Sequence, residues 1–375
     1  MTRRDPFAVL PGPVLGMILV GLEDLASLHR LCSQSPTIFS LLHEHGTATR
    51  IIEAIMSISV PQQTQVLIRK FAFLRWNIRS MSVCDILAAA ATIRYLAHAG
   101  MHEMINRCMS LELLRMQNPR RYIRNPHRTP SLWTSEYFPV PKPPREQCQQ
   151  IDVGPPSTIE EQRAIRALWQ LFLIWELHSA VSEPNSRWDW APNEFHQLQD
   201  LHFDEIWKHS LPNKTREQIK TMADCSCLFP ALSSPMEKYR AARSLARSEQ
   251  WRCQYDFPHP AIPDLDNDME FDIGAPGYRF VLGDLSGWYT SPARYVEFRV
   301  YRRFGFAIWD YKRMEGLGLL YQESDGPRMP QSPRGEPDLY VRWESILSED
   351  DLEEIERKRK HFWPGREKVK MELPW

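Results

Sequence analysis

Neither sign of charge is in excess in this chain: 46 Lys and Arg stand against 47 Asp and Glu in 375 residues, a formal net charge of −1 at pH 7. Such a balance supplies no global field to gather nucleic acid or anionic lipid, so neither is an expected partner. Long apolar runs are missing too. The longest, Leu168 to Leu177, is interrupted by Gln170 and Glu176 and falls short of the roughly 20 residues that a membrane-spanning helix needs; it predicts a buried helix. The chain starts Met-Thr-Arg-Arg-Asp-Pro without an apolar signal core, and its seven cysteines are odd in number and irregularly spaced. Together these predict a reducing compartment, cytoplasmic or nuclear. No fixed-period repeat is found: Trp188-Asp189 and Trp309-Asp310 lack the surrounding pattern of a propeller blade, and leucine-rich repeats are absent. Nor is there a Gly-x-Ser-x-Gly elbow, a phosphate-binding Gly-Lys-Ser/Thr loop or an acid pair at diagnostic spacing. The expectation is a protein without enzymatic activity and without a cofactor.

What is present is apolar periodicity punctuated by proline. Hydrophobic residues make up 43% of the chain, enough for a large core, while 30 prolines and 13 tryptophans suggest helices joined by stiff connections. Leu15, Ile18, Leu19 and Leu22 share a helical face, and Pro13 suits a first turn. Leu25, Leu28 and Leu31 follow on a second short helix whose start carries Glu23 and Asp24, where the helix dipole favours negative charge. Ser35-Pro36 reads as cap and first residue of a third, with Ile38, Phe39, Leu41 and Leu42. Residues 46–118 continue as a helical region: Leu67, Phe71, Leu74 and Ile78 recur after Pro61, and Ser82 with Asp85 suggests another helix start. Residues 119–157 read as a Pro- and Arg-rich linker or loop. Residues 158–375 read as mainly helical and as the possible substrate-recruiting part, with Thr158 and Glu161 as a capping box. Further helices are predicted from Asn213 to Met222, from Ser234 to Leu245, and over 293–320, where Val296, Val300, Phe304 and Ile308 repeat every four residues. Ser348 and Asp351 cap a last, solvent-facing helix whose end carries Arg357 to Lys360. Residues 255–290, rich in Pro, Gly and Asp, read as loop. The predicted class is mainly α, a three-helix N-terminal module at 1–45 followed by an irregular helical body with Pro-rich loops.

Several residue sets have the composition of chemical sites but not the full pattern. His98 and His102 have the four-residue spacing of a metal pair but no third ligand, and read as ordinary surface or half-buried histidines. Cys225, Cys227, Cys253 and His259 lack paired zinc spacing and read as buried thiols. Asp264, Asp266 and Asp268 alternate as in a calcium loop, but Met269 stands where Gly is needed and Ala275 where the closing Glu belongs. Arg115, Arg120, Arg121, Arg124 and Arg128 read as a solvated linker, and Trp188, Trp190, Trp288 and Tyr289 as core or as substrate anchors. No metal site is expected.

One string does carry a function. Leu10-Pro11-x-x-Val14-Leu15-x-x-Ile18-Leu19-x-x-Leu22-x-Asp24-Leu25-x-x-Leu28-x-x-Leu31-Cys32 resembles the F-box, and with Ser35-Pro36, Phe39 and the later block from Arg302 to Asp310 the chain looks like F-box-like proteins of filamentous fungi. The resemblance implies the substrate-recruiting adaptor of an SCF-type ubiquitin ligase, which performs no bond chemistry. Its partners would be a Skp-type adaptor, through that a cullin, and a protein substrate. Leu10 and Pro11 would lead the contact, with Val14, Leu15, Ile18, Leu19 and Leu22 forming the interface or its support, and Leu25, Leu28 and Leu31 holding the helices together. The string departs from the common pattern where Gly12-Pro13 replaces the usual variable residue and Glu, and where Ser35 stands in place of Trp. The competing reading is a helical binding or scaffold protein without a ubiquitin role, its Leu-Pro face covered by its own later helices.

Overall fold

The computed structural model describes residues 5–43, 46–79, 83–110, 152–182, 213–224, 276–285 and 297–317, with 353–354 and 357–358. Among these residues every regular element is helical and no strand occurs. The mainly α class read from periodicity is what the chain adopts. Contacts divide it into two compact units, each discontinuous in sequence: Met1–His102 with Pro156–Ile273, and Glu103–Pro155 with Gly274–Trp375.

The first unit begins with a single 3-10 turn, Pro6–Val9. Helices α1 Gly12–Val20, α2 Leu25–Gln34 and α3 Pro36–His43 follow in the order the sequence predicts. Each start has a chemical reason. Pro13 lies in the first turn of α1, where a missing N–H costs nothing. The Asp24 carboxylate accepts from the Ser27 N–H at 2.8 Å and the Ser27 hydroxyl at 2.9 Å, capping α2. The Ser35 hydroxyl accepts from the Ile38 N–H at 3.2 Å ahead of Pro36, capping α3. Helix α4, Thr47–Ser59, buries Ile51, Ile52, Ile55, Met56 and Ser59 on one stripe, the helical repeat of a core-facing surface. It packs against α1 and α3.

Helix α5, Gln62–Arg79, starts just past Pro61 as expected, and α6 spans Val83–Met109; Ser82 lies outside the described residues. Helix α7, Thr158–Ser182, contains the predicted buried run, with Leu168, Trp169, Leu171, Phe172, Ile174 and Trp175 all buried. Its capping box lies one residue earlier than Thr158 and Glu161 suggested. The Ser157 N–H donates to Glu160 Oε2 at 2.9 Å, and the Glu160 N–H donates to Ser157 Oγ at 3.3 Å. Glu161 is thereby released for tertiary work. Helix α8, Asn213–Ala223, packs with α5 against α7, matching its expected span to within a residue.

The second unit corrects two sequence readings. Where they are described, residues 276–285 are not loop: α9, Pro276–Arg279, runs into a π turn, Phe280–Leu285. Gly277 is there for close packing, since a Cβ at this position would lie 2.4 Å from the Phe306 carbonyl oxygen. The continuous helix expected over 293–320 is instead two short ones, α10 Arg299–Arg302 and α11 Tyr311–Gly316, joined by a turn. Gly305 at φ 75° breaks it, in the left-handed region that interrupts an α-helix. Trp309, fully buried, lies against Gly305 and donates from Nε1 to the Phe304 carbonyl at 2.5 Å. The same carbonyl accepts from Cys108 Sγ at 3.1 Å. Arg313 stands 5.0 Å from the Trp309 ring centroid and donates to the carbonyls of Gly154 and Pro155. Glu354 pairs with Lys358 at 3.0 Å, the i,i+4 spacing of a helix surface.

Candidate docking site on the N-terminal module

The seven residues singled out at 10–22 separate into two sets. Leu15 and Leu19 are buried among the chain's own helices, because the α1 face that carries them packs on α4. They support the module. Pro11 and Ile18 are exposed, Ile18 at 42%, while Leu10, Val14 and Leu22 are half-buried. Leu25 and Leu28 are buried and Leu31 is half-buried. Helical spacing grouped Ile18 with Leu15 and Leu19, although at 100° per residue Ile18 points about 60° away from Leu15 and about 100° away from Leu19.

Three exposed apolar residues were missed as members of this surface: Val9 is 84% exposed, Met17 69% and Phe39 44%. Val9 ends the 3-10 turn, Met17 lies beside Ile18 on α1, and Phe39 is on α3, against which the 3-10 turn packs. The signal available in sequence was the lack of any polar residue between Phe7 and Gly21 other than glycine and proline, more apolar surface than one side of a nine-residue helix can bury. Exposed apolar side chains that form a contiguous patch are a common property of protein-binding faces.

Polar contacts order the module's edges. Asp5 Oδ1 accepts from the Phe7 N–H at 3.0 Å, and Oδ2 accepts from the Ser35 hydroxyl at 2.7 Å and the Thr37 N–H at 3.1 Å. Burial raises the Asp5 carboxyl, but these donors outweigh it and hold the group down at about 2, so it is ionised across the physiological range. At the other end, Asp24 Oδ2 meets Arg94 Nη1 at 2.5 Å; Arg94 Nε lies 3.8 Å from Glu161 Oε1, and that oxygen receives His98 Nε2 at 2.6 Å. His98 is therefore a buried partner of Glu161 rather than half of a metal pair, and His102 is exposed. Among the described residues no group of three or more His, Cys, Asp or Glu side chains is placed to hold a metal.

Burial raises the Asp24 carboxyl, whereas the Arg94 charge and the Ser27 donors lower it further, leaving it below the usual 3.8. The sign follows: a depressed folded-state value contributes stability above the unfolded value, lost as pH falls through the folded one. Asp24→Asn is expected to cost about 1–2 kcal/mol at pH 7, with a smaller deficit at pH 3. Urea unfolding of both proteins at the two pH values measures this; a deficit independent of pH would refute it.

The other candidate sets at 115–128, 188–190, 225–268 and 288–289 lie outside the described residues. Among described helices none is long and apolar enough to cross a membrane. No family model matches the sequence, and neither a curated protein nor a solved structure is significantly similar to it.

Proposed function

We propose that this chain is the substrate-recruiting adaptor of an SCF-type ubiquitin ligase and docks a Skp-type adaptor, and through it a cullin, on the exposed apolar face of residues 9–18. The observation that carries the reading is the division of the Leu-Pro string: Leu15 and Leu19 are buried inside the module, while Val9, Pro11, Met17 and Ile18 remain on its surface. Met17 at 69% and Ile18 at 42% exposure leave apolar side chains of this segment for a partner to cover. The helical remainder then presents the substrate.

Co-expression with a Skp-type adaptor tests it. The wild type is expected to co-purify with the adaptor. Met17→Asp with Ile18→Asp places two charges where apolar contact is needed and is expected to weaken the complex about a hundredfold or more, the scale of losing central interface residues. A wild type that does not co-purify, or a double variant that binds equally well, would sink the proposal. The competing scaffold reading draws on α4, which covers the Leu15 and Leu19 side of α1; it expects the double variant to fold normally and the adaptor to be ignored by both proteins.

A further inference from the structure

We propose that Asp5, which lies outside the Leu-Pro string, is a positioning residue that fixes residues 9–11 for docking by tying the 3-10 turn to the start of α3. The inference rests on the adaptor reading above. Its physical basis is that the turn Pro6–Val9 has no buried residue, so apolar packing does little to hold it. One carboxylate takes that role. Asp5 Oδ1 closes the turn on the Phe7 N–H, and Oδ2 reaches 30 and 32 residues along the chain to the Ser35 hydroxyl and the Thr37 N–H. The turn is completed by the Leu10 N–H, which donates to the Phe7 carbonyl at 3.1 Å, directly before Pro11. Ser35 is 2% exposed and its hydroxyl also caps α3, so the anchor at the far end is itself rigid.

The arrangement gives a reason for one departure from the F-box pattern. Ser35 occupies the position where many members have Trp, and its small hydroxyl is the donor that Asp5 engages. Docking a held segment avoids the entropy cost of ordering it at the moment of binding. Asp5 thus raises affinity without contributing a contact, and being ionised at all physiological pH it acts as a permanent tie and not a switch.

Two readouts on the full chain decide this. Affinity for a purified Skp-type adaptor is expected to fall about tenfold in Asp5→Ala, with a smaller loss in Ser35→Ala, which leaves the Thr37 bond in place. Hydrogen exchange of peptides covering 5–11 is expected to rise in Asp5→Ala while peptides from α5 and α7 are unchanged. Unaltered exchange at 5–11 would overturn the tie whether or not the adaptor binds. Faster exchange with unaltered affinity would overturn the positioning role while leaving the adaptor reading intact. If the wild type does not bind the adaptor, the adaptor reading fails and the docking role falls with it, whereas faster exchange would still identify the tie itself.

Discussion

Gly305→Ala is expected to destabilise the second unit by about 3 kcal/mol, combining the cost of a left-handed non-glycine residue with that of overpacking. Gly305 sits at φ 75° and a Cβ there would stand 2.5 Å from Trp309 Cζ2, 2.6 Å from Cε2 and 2.9 Å from Met104 Sδ. The methionine end can move. The indole cannot do so cheaply, because its Nε1 is bonded to the Phe304 carbonyl and Arg313 lies over its ring. Gly46 supplies the control: its φ is 90°, yet nothing lies within 4 Å of an added Cβ, so Gly46→Ala carries the backbone term alone, about 1 kcal/mol. Denaturant unfolding followed by tryptophan fluorescence, with hydrogen exchange to assign the loss to each unit, measures both. Equal penalties would show that the Trp309 contact carries no cost.

A loss of similar or greater size is expected at the interface of α5 and α7. Arg75 and Glu176 form an ion pair with both side chains nearly inaccessible to water. Arg75 also lies 5.5 Å from the Phe71 ring centroid, and Phe71 meets Trp169 edge-on. Removing one member breaks an ion pair that is shielded from water, so Arg75→Met or Glu176→Leu alone is expected to cost about 3–5 kcal/mol. Replacing both leaves neither half of the pair behind, and the double variant is expected to recover much of that loss. Urea unfolding of the two single variants and the double variant closes the cycle. Single losses below about 1 kcal/mol, or penalties that add without recovery, would refute the description of a desolvated pair.

Much of the first unit was legible because its determinants are local. Caps at Asp24 and Ser35, the prolines at 13 and 36, and the helical repeat of Leu25 and Leu28 each act within one turn of chain, and helices formed where they predicted. The Leu168 to Leu177 run was readable as a buried helix, and Glu176 within it as an interruption. That Arg75 answers it from 101 residues earlier was not readable. The same holds for Asp5 and Ser35. The contact of Asp5 with the Phe7 N–H lies within two residues, whereas only folding brings its second carboxylate oxygen to Ser35 and Thr37 at the start of α3.

Periodicity failed where glycine and a distant aromatic acted together. Val300, Phe304 and Ile308 have helical spacing and all three are buried, so the apolar pattern was real. The backbone bringing them inward is nevertheless a turn, because Gly305 allows the left-handed geometry and Trp309 fills the space above it. Gly277 deceived in the opposite direction: it looked like a loop residue, but serves close packing of a helix on the Phe306 carbonyl.

Sequence by itself determined the helical class, the starts of the N-terminal helices and the apolar string that motivates the adaptor reading, since propensity, capping and hydrophobic spacing are written within a few residues. Tertiary structure alone decided which side of that string is spent on the core. Leu15 and Leu19 are buried where α1 packs on α4, leaving Met17 and Ile18 on the surface, and Asp5 accepts from the Ser35 hydroxyl ahead of α3. Burial depends on which segment packs opposite, and ion pairs such as Arg75 with Glu176 depend on side chains far apart in the chain; neither is encoded in the spacing of neighbours.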